Sequence, residues 1–323
     1  MIGYGKLGHQ QISADENDVA VGRSARGWGL DLGGGVRLQN LRFADDVLII
    51  GTSLYEVQKM LEELSIEAKS AGLNLHPDKT KILANKVDRR GKDASRDVLV
   101  DGMTVEVLSI DQSTEYLGRR LGFQDFHDSE IDHRIAKAWA KFHKFKSELC
   151  CKAIPIKDRL RLFDAVITPS VLYGSSCWTM TCDRERKLRS TQRRMLRLIC
   201  QTWRMKECNG DAEAWVEWIR RATHKAEELM SIVGMESWIT SQKRKKWRWA
   251  GHVARMTDDR WTVKSLLWMP EHANRRVGRP SRRWSDDIDQ FCQEHFDCEA
   301  GEWVLYAQSR EDWKHFEDVF VSR

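Results

Sequence analysis

The chain has 323 residues, a formal net charge of +5, 41% apolar residues and eight cysteines. No apolar run approaches the ~18 residues of a membrane span and the first ten residues hold no signal-peptide core, so no membrane partner and an intracellular setting, cytoplasm or nucleus, are expected. The cysteines form no CxxC pair, and Cys292, His295 and Cys298 lack a fourth ligand at knuckle spacing, so ordinary reduced thiols are expected rather than a zinc site.

Residues 1–37 are Gly-rich and polar, with no apolar periodicity, and read as a poorly ordered lead-in. No Gly-Lys-Ser/Thr follows Gly33-Gly34-Gly35, so this is not a phosphate-cradling loop. The first strong pattern is Leu41-Arg42-Phe43-Ala44-Asp45-Asp46-Val47-Leu48-Ile49-Ile50. Two apolar runs flank two carboxylates, which predicts strand, tight turn, strand with both acids at the tip. A polar turn is the plain alternative. Adjacent like charges pressed by Phe43 and Val47 instead call for a compensating cation, and Mg²⁺ is the hard ion that one or two carboxylates hold.

A helix follows. Ser53 and Glu56 form a capping box. Leu54, Val57, Leu61, Leu64 and Ala68 share one face, and Gly72 ends the helix. Leu73–Leu75 and Lys81–Ala84 read as short strands around the His76-Pro77-Asp78 turn. Asp101-Gly102 between Val98–Val100 and Val105–Val107 is a hairpin signal.

From Asp128 the pattern turns helical. Ile131, Ile135, Trp139, Phe142 and Phe145 form one stripe. Pro155 starts a second helix, expected through Tyr173, and Asp183 is the expected cap of a third. That third helix rings Leu188, Met195, Leu196 and Ile199 with Arg and Lys, a form suited to phosphates. Charge and tryptophan then concentrate. Ser241–Trp284 holds thirteen basic and three acidic residues, and only Trp28 of fourteen tryptophans precedes residue 139. Positive charge gathered in one segment points to a polyanion. Trp247, Trp249, Trp261 and Trp284, interleaved with cations, are read as core residues first and base-stacking residues second.

Leu41–Asp46 resembles the catalytic box of reverse transcriptases from non-LTR (LINE-type) retrotransposons. Ser70-Ala71-Gly72-Leu73-Asn74-Leu75 through Lys79-Thr80-Lys81 resembles the next palm motif, and Glu115-Tyr116-Leu117-Gly118 the primer-grip turn. Arg248–Arg255 and Gly278–Trp284 resemble segments near the C-terminus of such polyproteins. The resemblance spans about Leu38 to Ile288. It implies an α+β chain: a partial polymerase palm, an antiparallel sheet with a backing helix, over 38–126. A helical thumb-like region over 127–205 follows, then a basic, Trp-rich helical region over 206–323.

The resemblance also assigns roles. Asp45 would be the direct Mg²⁺ ligand and Asp46 a supporting carboxylate. Phe43 would lie beneath the primer terminus. Lys79 or Lys81 would face the departing pyrophosphate, and Tyr116, Leu117 and Gly118 would position the primer end. The implied partner is an RNA or DNA primer–template duplex, with Arg189, Arg193, Arg197, Arg248, Arg279, Arg282 and Arg283 as candidate phosphate contacts. Polymerases use two metal ions about 3.5–4 Å apart, and the family supplies another Asp from an upstream strand. Here the upstream acids Asp15, Glu16, Asp18 and Asp31 lack a strand context, and no fingers segment is recognisable. The expectation is a C-terminal part of an RNA-directed DNA polymerase, inactive or nearly so alone, with weak Mg²⁺ binding. The alternative is a non-catalytic, sequence-indifferent nucleic-acid-binding protein. A nuclease, third in order, would need more clustered acids, for which Asp258-Asp259 and Asp286-Asp287 are the compositional candidates.

Overall fold

Apolar residues at alternate positions of short strands, closed by turns that tolerate left-handed backbone, build the N-terminal half. The computed structural model describes residues 2–6, 27–33, 35–85, 97–205, 212–258, 260–266, 268 and 282–323. The chain divides into two units, Met1–Phe126 with Lys264–Arg275, and His127–Val263 with Arg276–Arg323. The whole is α+β.

The first unit holds a six-stranded sheet of order β4-β5-β1-β6-β8-β7. The strands are β1 (Ile2–Lys6), β4 (Asn40–Phe43), β5 (Asp46–Ile50), β6 (Lys81–Leu83), β7 (Val98–Val100) and β8 (Met103–Leu108). Neighbours run antiparallel except β6 and β8, which are parallel. Two small ladders, β2 (Leu30–Asp31) with β3 (Arg37–Leu38) and β9 (Ser113–Tyr116) with β10 (Arg119–Gly122), complete the unit. Within 1–37, expected to be a poorly ordered lead-in, residues 2–6 instead form β1, which lies between β5 and β6. Glycine at two of its five positions hid the alternation by which strands are recognised.

Helix α1 (Leu54–Ser70) covers the sheet. Val57 and Leu61 join Val47, Ile49, Ile82, Val100, Val105 and Val107 in one core. Ser53 Oγ accepts the Glu56 N–H at 3.2 Å. The Glu56 carboxylate accepts from the Thr52 N–H at 2.8 Å and the Thr52 hydroxyl at 2.6 Å, one residue before the expected cap partner. Gly72, at φ 76°, lets the Leu73 N–H reach the Ala68 carbonyl at 2.8 Å and stop the helix.

The second unit is helical: α2 (Phe126–Lys144), α3 (Ile156–Val166), α4 (Cys182–Cys200), α5 (Trp215–Val233), α6 (Trp238–Ala254) and α7 (Asp286–Phe296), with shorter turns between and after them. The second predicted helix does not run unbroken to Tyr173. It stops at Val166 and restarts as Thr168–Val171, where Pro169 has no N–H to continue the ladder. The cap of α4 is Thr181, whose hydroxyl accepts the Arg184 N–H at 3.4 Å, rather than Asp183. One core gathers Ile131, Phe142, Phe163, Trp178, Leu188, Leu196 and Trp238. A second is aromatic, with Trp247 stacked on Trp313 and edge-on to Phe291. No described helix is long and apolar enough to cross a membrane.

Candidate functional site

Phe43 pairs with Asp46 across the β4–β5 hairpin, which leaves Ala44 and Asp45 as the two turn residues. The expectation of two acids at the tip is corrected. Asp45 is at the tip, whereas Asp46 opens β5 and is buried. A two-residue turn has room for one of them, and Val47-Leu48-Ile49 draws the other into the sheet. Phe43 is 65% exposed. Ala44 takes φ 51°, a left-handed conformation that costs an L-residue about 1–2 kcal/mol.

A second strained turn lies in the same unit. Leu117 at φ 49° and Gly118 at φ 73° close the β9–β10 hairpin. Burial, and then the Asp46 carboxylate, raise the Tyr116 hydroxyl above its usual range. Asp46, Asp78, Lys79, Lys81, Thr114, Glu115, Leu117 and Gly118 line one cavity of about 300 Å³. Three separate stretches of sequence converge there. Lys79 ends a 3₁₀ turn, Pro77–Lys79, and Lys81 forms an ion pair with Glu106. Asp78, Thr114 and Glu115 were not singled out from sequence. Glu115 stood inside the primer-grip-like motif, and Asp78 beside Lys79, which is the signal that existed for them.

Asp45 and Asp46 are adjacent, and a single Mg²⁺ takes one or two carboxylates and keeps water on its other positions. Among the described residues no group of three or more His, Cys, Asp or Glu is placed to hold a metal. The residue opposite Asp46 in the β1–β5 ladder is Lys6, not an acid.

No family model matches the chain. A transposon-derived protein of Caenorhabditis elegans is 30% identical over 287 residues, covering 86% of this chain and 95% of that protein. The chain belongs to that transposon-derived family.

The remaining candidate residues of this transposon-derived protein lie in its second unit, and most have partners. Arg193 Nε donates to Glu227 at 2.8 Å, and Arg197 donates to the Thr223 hydroxyl at 3.1 Å. Arg189 approaches Glu185 at 3.9 Å. Arg248 makes two bonds to Glu317, at 2.7 and 2.8 Å. Arg282 donates to the Met180 carbonyl at 3.0 Å, while Arg283 is exposed. Arg279 lies outside the described residues. Trp247 does not face solvent. It is fully buried, and Trp247 Nε1 and Trp313 Nε1 each donate to the other's carbonyl, at 2.8 and 2.9 Å. Trp284 Nε1 donates to the Ser176 carbonyl at 2.7 Å. Cys292 is buried, and His295 Nδ1 lies 2.9 Å from the Phe291 carbonyl. Asp287 is paired with Lys246 at 2.7 Å, and Asp286 Oδ2 accepts the Arg283 N–H at 2.7 Å.

Proposed function

We propose that the first unit derives from the palm of a non-LTR retrotransposon reverse transcriptase, an RNA-directed DNA polymerase, and that the hairpin Phe43–Asp46 is its catalytic box. One observation carries the reading: Asp46 of the acid hairpin, Lys79 and Lys81, and the Leu117–Gly118 turn, distant in sequence, line one cavity. The transposon origin of the family supports it. Non-glycine residues held at positive φ in both turns support it too, since such strain persists where surrounding structure enforces it and collects at sites.

In this reading Asp45 and Asp46 hold Mg²⁺, which supplies positive charge to phosphate oxygens when bound. The chain's own groups do the rest. Phe43 offers an exposed ring to the primer terminus. Tyr116 and the Leu117–Gly118 turn position that end. Lys79 and Lys81 face the triphosphate, with Lys81 held in place by Glu106. A proton must leave the primer hydroxyl, and the hairpin carboxylates are the candidates to receive it.

A second reading, nucleic-acid binding without chemistry, is favoured by Lys6. It, and not an acid, is in register with Asp46 on the neighbouring strand, and two-ion catalysis calls for a further carboxylate. Two measurements separate the readings. Titration with Mn²⁺ followed by its electron-spin signal is expected to show weak binding that Asp45→Ala abolishes. Primer extension with Mg²⁺ or Mn²⁺ is expected to show at most traces. Robust Asp45-dependent synthesis would restore full catalytic status, and Mn²⁺ binding indifferent to Asp45→Ala would end the palm assignment.

A further inference from the structure

The exposed side of α6 carries a feature that the palm reading does not use. Lys245, Arg248, His252 and Arg255 recur at steps of three, four and three, which puts them on one stripe of the helix. The ten steps from Lys245 to Arg255, at 1.5 Å each, make the stripe about 15 Å long. Two cavities adjoin along it. One, of about 420 Å³, is lined by Ser175, Ser176, Lys245, Arg248, Trp249 and His252 among others. The other, of about 750 Å³, is lined by Arg248, His252, Arg255, Arg310, Glu311, Trp313, Lys314 and Glu317. Arg248 and His252 belong to both, so the cavities form one track within the second unit.

The track keeps an excess of positive charge. Its acids are Glu311 and Glu317, and Glu317 is already neutralised by Arg244 and Arg248. Arg255 donates to the Ala307 carbonyl at 2.6 Å, and its pKa is lowered by burial and then by the neighbouring Arg310. Arg310 and Lys314 have no ion-pair partner among the described residues. Like charges gathered in excess over acids repel one another, and an anion removes that cost. At the other end the half-buried Trp249 indole tilts against His252, with ring centres 5.5 Å apart.

We infer that this track on α6 binds single-stranded nucleic acid, its cations following the phosphodiester backbone and Trp249 offering a face for a base. Aligned cations with an aromatic at the edge of a narrow groove are what backbone tracking plus base stacking require. The inference goes beyond the palm reading and stands without it.

Fluorescence anisotropy of the full chain, with labelled oligothymidylate and oligouridylate of about twenty nucleotides, tests it. Replacing Lys245, Arg310 and Lys314 together by Ala is expected to weaken binding at least tenfold. It is also expected to reduce the slope of log affinity against log salt by about two, at ~0.7 per lost phosphate contact. Trp249→Ala is expected to weaken binding at least fivefold with the slope unchanged. The variant Arg310→Lys, which preserves charge, is expected to bind as the parent does and controls for misfolding, alongside the thermal melt of each variant. Asp45→Ala is expected to leave this binding intact, which separates failure of the groove from failure of the palm reading. Undiminished binding by the triple variant, or a preference for duplex that ignores Trp249→Ala, overturns the inference.

Discussion

Gly251 shows how one residue's surroundings decide the sign of a substitution. A glycine inside a helix normally yields stability when replaced by alanine, by about 0.5–1 kcal/mol. In α6 the Cβ of such an alanine would lie 2.4 Å from Trp313 Cδ1 and 2.5 Å from its Nε1. The Trp313 ring cannot retreat, because it is stacked on Trp247 and its N–H is held by the Trp247 carbonyl. Overpacking therefore wins, at a cost of about 1–3 kcal/mol. Gly251→Ala is expected to lower the urea midpoint, and a raised midpoint would show that the indole has room to move. The same residues mark a limit of reading by sequence. Trp247 and Lys246 sit in a run that alternates aromatics with cations, a composition shared by nucleic-acid-binding faces and by helices whose tryptophans point inward. Only the path of residues 303–323, which no local pattern encodes, distinguishes the two.

At the scale of an element, α6 carries a buried cation whose loss and gain are unequal. Lys246 is 1% exposed, pairs with Asp287 at 2.7 and 2.9 Å, and lies 5.2 Å from the centre of the Trp284 ring. Asp287 keeps contact with solvent. Asp287→Asn would strand an ammonium that water cannot reach, at a cost of about 3–5 kcal/mol. Lys246→Met would leave a carboxylate able to rehydrate, so the loss is expected to be clearly smaller. Chemical denaturation of the two variants checks the order, and equal losses would refute it. Local chemistry made other elements legible. Asp101-Gly102 fixed the β7–β8 hairpin, since both residues adopt positive φ, and Ser53 and Gly72 marked the ends of α1. The acid hairpin was legible as a hairpin, but not the assignment of one acid to the turn and one to the strand. That depends on the register of β4 against β5, which sets Phe43 opposite Asp46.

For the whole molecule, the central place of β1 matters most. It supplies both the ladder beside β5 and the ladder beside β6. A chain lacking residues 2–6 is therefore expected to lose the sheet of the first unit while the helical second unit persists. Most tryptophans belong to the second unit, so calorimetry and tryptophan fluorescence are expected to diverge in that deletion, a breakdown of two-state behaviour. Coincident loss of both signals would show that the units fold together. The convergence at the hairpin was only partly readable from sequence. Lys79 and Leu117–Gly118 came from motif order, whereas Asp78, just before β6, and Thr114 and Glu115, just after β8, are joined by the parallel pairing of β6 with β8, which no periodicity announces.

The facing indoles of Trp247 and Trp313, 3.7 Å apart and within 3° of parallel, have an optical consequence. Chromophores that close share their excited states. Docking of the last turns of the chain onto α6 is thus written into the ultraviolet dichroism of the protein, as a paired band that a phenylalanine at either position would erase.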